Sequence, residues 1–107
     1  MPWTITYHKA AVKDVEKLDG SCKAQIVKAI KKVSQNPLPF TEGGYGKPLG
    51  NKENTNLTGC LKIKLSKIGL RIVYRLVRTK SEMNIIVISV RSDHEVYELA
   101  ERRSKDE

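Results

Sequence analysis

Cysteine and histidine are scarce in this chain, with two of each among 107 residues. Cys22 and Cys60 have no C-x-x-C spacing, and His8 and His94 have no carboxylates at matching spacing. That argues against a disulfide framework and a metal site, so no metal or cofactor is expected. Both thiols should be reduced and partly buried. Aromatic residues make up only 6% and do not interleave the basic strand positions. The usual stacking platform of a single-strand-binding module is therefore missing from the pattern. No segment approaches the ~20 apolar residues that a membrane span needs. Met1-Pro-Trp-Thr-Ile-Thr-Tyr7 holds no apolar run of signal-peptide length. A cytoplasmic protein with no membrane partner is expected. Internal repeats and low-complexity tracts are also absent.

Positive charge is abundant. Twenty Lys and Arg against twelve Asp and Glu leave a net charge of +8, with a pI near 9.6. Such a field favours nucleic acid, an acidic protein or an anionic surface. Basic surfaces also simply keep small proteins soluble. Here, however, much of the charge falls on predicted strands rather than only on solvated helix faces. The length and the 39% apolar content predict a single domain, residues 1–107, with one core.

Trp3, Ile5 and Tyr7 alternate with threonines, which predicts a short strand with one apolar face. Residues 9–19 switch to helical spacing, with Val12, Val15 and Leu18 on one stripe. Gly20 is a candidate helix end and Ser21 a candidate N-cap. A second amphipathic helix over 22–35 buries Cys22, Ile26, Ala29, Ile30 and Val33, and Asn36-Pro37 stops it. Residues 37–58, rich in Pro, Gly and Asn, read as a long loop. Strands follow at about 60–66, 70–78 and 83–90, joined by hairpin-length linkers into an antiparallel meander. Ile85 to Ile88 form a continuous apolar run, as in a central strand buried on both faces. A last helix runs from about Asp93 to Arg103, with Ser92 and Glu95 at capping-box spacing. The order is βααβββα. It predicts an α+β fold: a mainly antiparallel four-stranded sheet, two N-terminal helices on one face and a C-terminal helix near its end.

The chemistry concentrates in Cys60-Leu-Lys-Ile-Lys-Leu65, Gly69-Leu-Arg-Ile-Val-Tyr74 and Arg91-Ser-Asp-His-Glu-Val-Tyr97. Strand alternation sends Leu61, Ile63 and Leu65 to the core and Lys62 and Lys64 to the other face. A two-residue loop over Lys67-Ile68 would set Lys64 opposite Arg71, whereas a three-residue loop or a bulge at Gly69 would change that register. Directly opposed like charges are unfavourable unless an anion lies between them. Arg91 ends the last strand. Tyr97, in the second turn of the next helix, could lean back toward it, beside the positive end of the helix dipole. His94, in the first turn, could reach the same region. Taken singly, each residue has a plain reading: solvated strand lysines, surface ion-pair arginines, a core tyrosine, an exposed histidine. Together they form a set of fixed cations with a phenol, suited to a phosphodiester and to metal-independent chemistry.

On these residues, together with Leu49-Gly50 and Ile88-Ser-Val90, the chain resembles the RelE/ParE superfamily of bacterial toxins, and its RelE branch in particular. The resemblance covers nearly the whole element order. It implies an active site of Lys62, Lys64, Arg71, Arg91 and Tyr97. It also implies ribosome-dependent cleavage of mRNA in the A site, by attack of the message's own 2′-OH on the adjacent phosphate. Preorganised cations would stabilise the phosphorane, and a lysine crowded by other cations is a candidate base. Tyr97 would either stack on a base or take part in proton transfer. Lys28, Lys31, Lys32 and Lys67, with His94, are candidate RNA contacts. The implied partners are the ribosome, mRNA and an acidic, RelB-like antitoxin in a toxin–antitoxin hetero-oligomer. Two rivals stand beside this reading: a ParE-like toxin acting on DNA gyrase, and a basic nucleic-acid-binding module without catalysis.

Overall fold

Among the described residues five strands, one more than the sequence pattern predicts, form a single sheet in the order β1-β5-β4-β3-β2. The structure, a computed structural model, describes residues 3–52, 55–90 and 93–105, without the side chains of 50–52, 55–58, 93–94 and 104–105. In chain order the elements are β1 (Thr4–Tyr7), α1 (Lys9–Glu16), α2 (Gly20–Ser34), β2 (Lys47–Lys52), β3 (Thr55–Leu65), β4 (Leu70–Val77), β5 (Glu82–Ser89) and α3 (Asp93–Lys105). Short 3-10 turns lie at Phe40–Glu42 and Arg78–Lys80. Strands β3, β4 and β5 form the expected meander. β1 adds to β5 in parallel.

The fifth strand comes from the segment that reads as loop. Lys47–Lys52 pairs antiparallel with β3, which begins at Thr55 rather than at residue 60. Pro48 and Gly50 hide this strand because both residues are depleted in strands. An edge position tolerates them, and the register shifts between these two residues. Gly46 just before it is required by close approach. A Cβ there would meet the Tyr74 hydroxyl and the Leu61 side chain.

The start of α2 also differs from expectation. Asp19, not Ser21, is the N-cap, and its side chain accepts from the Cys22 amide at 2.8 Å. The helix therefore takes in Gly20 rather than beginning after it. Asp19 is itself among the strongest N-capping residues.

Two cores sandwich the sheet. Ala11 of α1 and Ile26, Ile30 and Val33 of α2 pack on Leu61, Leu70, Ile72, Tyr74, Met83, Ile85 and Ile88. Val96, Tyr97 and Ala100 of α3 pack on Leu49, Cys60, Val73, Ile86 and Val87. So α3 does not sit near the end of the sheet; it covers the face opposite α1 and α2, touching β3, β4 and β5. The apolar run in β5 serves both cores, as expected for a central strand. A bulge makes that division uneven: Val73 pairs with Val87 but Tyr74 with Ile85, so Ile86 is the extra residue. Cys22 packs against the first core and Cys60 lies in the second, and neither is in a disulfide. No helix among the described residues is long and apolar enough to cross a membrane.

Candidate active site

The turn Ser66–Gly69 sets the register that matters most. Gly69 has φ +68°, a left-handed conformation that favours glycine. Its amide and that of Ile68 close the turn onto Ser66 and Leu65. Leu65 then pairs with Leu70 and Lys64 stands directly opposite Arg71, the register of a two-residue loop, which the sequence left open. Lys62 lies two residues along the same face, opposite Val73. Lys64 is exposed, and Lys62 and Arg71 are half-buried. Lys67 is exposed in the turn, adjoining the Lys64–Arg71 pair.

Tyr97 comes to this face from above. Its ring lies in the second core at 6% exposure. The Lys62 ammonium donates to its hydroxyl at 2.8 Å. The ammonium also lies 5.5 Å from the ring centroid. The two distances differ by about the centroid-to-oxygen length of a phenol, so the ammonium is end-on to the hydroxyl. The contact is a hydrogen bond and not a cation–π pair, which needs the charge over the ring face. A ring so buried offers no face to a base.

Arg91 and Ser92 lie outside the described residues, as does the His94 side chain. Tyr97 was expected to lean toward Arg91; the described partner of its hydroxyl is Lys62. Lys28, Lys31 and Lys32 are exposed on α2, which packs on the other side of the sheet. They are not gathered with Lys62, Lys64 and Arg71.

Two features were not legible beforehand. Lys47 on β2 is exposed and directly opposite Lys62. Its strand was read as loop, so no pattern placed it. The other is an ion pair that clamps α3. Arg103 Nη1 and Nη2 reach the Asp14 carboxylate at 2.7 and 3.3 Å, and Nη1 donates to the Ile86 carbonyl at 2.9 Å. Asp14 also accepts from the Ile88 amide at 3.1 Å. These backbone groups lie beyond the last β1–β5 pair, Tyr7 with Ile85, where β1 has ended. Both charged side chains are only 15% exposed. The pair thus joins α1, β5 and α3 around the open edge of β5.

Comparison with known proteins agrees with this architecture. The family described as "ParE toxin of type II toxin-antitoxin system, parDE" matches residues 5–97. The chain belongs to that toxin family. Within the RelE/ParE superfamily the toxin falls on the RelE branch. It is 27% identical over 103 residues to the mRNA interferase toxin RelE of Escherichia coli strain K12, covering 96% of this chain and 98% of the relative. It superposes on the free state of an arginine double mutant of E. coli RelE with a TM-score of 0.70, at 26% identity, covering 96% of this chain and 98% of the other. The toxin–antitoxin complex RelBE2 of Mycobacterium tuberculosis gives 0.68 at 26% identity, covering 87% and 95%.

Proposed function

We propose that this toxin is a ribosome-dependent endoribonuclease that cuts mRNA in the A site without a metal. The single observation that carries the reading is the Lys64–Arg71 pair beside the Lys62–Tyr97 hydrogen bond. Two cations set directly opposite each other on a half-covered sheet face can both donate to the oxygens of one phosphate. In the reaction, the 2′-oxygen bonds to the adjacent phosphorus and the bond to the 5′-oxygen breaks. The products are a 2′,3′-cyclic phosphate and a 5′-hydroxyl. The 2′-OH proton goes to a lysine of this set, the candidate base, and the leaving 5′-oxygen takes the proton of the Tyr97 hydroxyl. Arg71, a permanent charge with a planar fork, and Lys64 hold the phosphorane oxygens. Tyr97, held end-on by Lys62, keeps its own proton for the transfer.

The site has no strong base of the His or Glu kind among these residues, so the ribosome supplies orientation. An acidic antitoxin neutralises the protein, as the RelBE2 relative pairs with its own partner. The test is single-turnover cleavage on programmed ribosomes. Lys64→Ala and Arg71→Ala should each lower the rate by at least ~10²-fold, the scale of one lost preorganised contact. Chelator should leave cleavage intact on ribosomes that tolerate it. Full activity in both variants, or efficient cutting of naked RNA at many sites, would sink the reading. Growth arrest with intact message would point to a gyrase-directed toxin instead.

A further inference from the structure

We infer that the outward stripe of α2 is a docking surface for an acidic amphipathic helix of the antitoxin, with Ala24 and Val27 as its apolar floor and Lys23, Lys28 and Lys31 as its charged rim. This rests on the proposed neutralisation by an acidic antitoxin and adds where that partner holds the toxin. Helix α2 contains four lysines and no acidic residue. No acid on the helix itself can therefore pair with them three or four residues away. Lys32 lies over the Tyr45 ring, 5.6 Å from its centroid. Among the described residues the other three, Lys23, Lys28 and Lys31, form no ion pair.

These three share one side of the helix. At 3.6 residues per turn, Lys23 and Lys28 stand ~140° apart, with Val27, Lys31 and Ala24 between them. Together the five residues line a shallow hollow of about 570 Å³. Its apolar floor is open to water: Val27 is 42% exposed and Ala24 is exposed. The opposite face of α2, with Ile26, Ile30 and Val33, is already spent on the first core. Charge decides the occupant. A second copy of this chain would bring lysines to lysines. A phosphate backbone would satisfy the cations and leave Val27 and Ala24 facing water. An amphipathic helix does both, because its apolar stripe fills the floor and its flanking Asp and Glu reach the rim. Helix α2 also lies across the sheet from Lys62, Lys64 and Arg71. A helix docked on it leaves those cations uncovered. It anchors the antitoxin and raises the effective concentration of the separate segment that silences the site.

Binding rates are measured with the purified product of the neighbouring reading frame and, separately, with programmed ribosomes. Lys23→Glu should slow association with the antitoxin about 10-fold at low salt, because a rim charge acts chiefly on the on-rate, and the penalty should shrink as salt rises. Val27→Ala, which installs a stronger helix former, should raise the dissociation rate about 10-fold, the scale of two methyl groups returned to water. Val27→Ile, which keeps the apolar floor, should dissociate no faster than wild type. Amine labelling of the complex should find Lys23, Lys28 and Lys31 protected relative to the free toxin. Lys23→Glu and Val27→Ala should bind ribosomes and cut message at the wild-type rate. Variants that lose ribosome affinity as much as antitoxin affinity would assign the stripe to ribosomal RNA and overturn the inference. So would antitoxin rates that neither variant changes, or three lysines labelled equally in complex and free toxin. With any of these results, an antitoxin that still binds and silences wild type would leave the proposed pairing standing. One that does neither would overturn both.

Discussion

Tyr97 has a packing role and a polar one, and two variants separate them. Tyr97→Phe keeps the ring in the second core and removes the acceptor of the Lys62 hydrogen bond. Cleavage should fall about 10²-fold, within the range for a lost proton-transfer group, while thermal stability changes little. Tyr97→Ala should also cost ~3 kcal/mol or more through the cavity it leaves. Equal cleavage by wild type and Tyr97→Phe would remove the hydroxyl from the mechanism. Tyr74, a buried tyrosine of the first core, is a contrast. It donates to the Pro37 carbonyl at 2.7 Å, and burial pushes its phenol above the ordinary value. Its neighbour Gly46 leaves no room for a methyl group. Gly46→Ala should destabilise by ~1–3 kcal/mol, the usual cost of overpacking, as read from denaturant melts.

Helix α3 is held at one end by the Asp14–Arg103 pair and carries Tyr97 toward the other. Removing one partner strands a poorly solvated charge. Asp14→Ala should cost ~3–5 kcal/mol. Asp14→Leu with Arg103→Met should cost less than Asp14→Ala alone, a non-additivity that a double-mutant cycle reads directly. Additive losses would show that the pair acts as two independent contacts. At the start of α2, bonding from the Cys22 amide holds the Asp19 carboxyl below its usual value. Its contribution is present above the unfolded-state value and lost as pH falls through the folded one. Asp19→Asn should therefore show a smaller drop in melting temperature between neutral and acid pH than wild type.

At the scale of the molecule, a +8 charge would steer the acidic antitoxin proposed above. Association with the antitoxin should slow steeply as salt rises, because the field is screened within ~8 Å at physiological ionic strength. Stopped-flow rates that ignore salt would remove steering from the account. A neighbouring reading frame whose product neither binds nor relieves growth arrest would count against the proposed pairing. The two-sided cover of the sheet sets what such a partner can reach. One face is packed by α1 and α2, the other by α3 with Lys62, Lys64 and Arg71 on it.

Period-two alternation in 60–65 and 70–77 and the helical stripes of 9–18 and 22–33 were enough to determine the α+β class and the meander. Alternation also determined that Lys62 and Lys64 share a face, because it is local; the meeting of Lys64 with Arg71 followed only for a two-residue turn, which the structure supplied. Three further things needed the tertiary structure. Strand β2 forms only because β3 is there to pair with residues that disfavour strands by themselves. Helix α3 packs on the lysine face, the one α1 and α2 leave uncovered, where a bulge at Ile86 adds an apolar residue. Asp14 and Arg103, eighty-nine residues apart, meet only where β1 stops short of β5. Sequence patterns report local geometry and burial, whereas contacts between distant segments are decided when the faces they create are packed together.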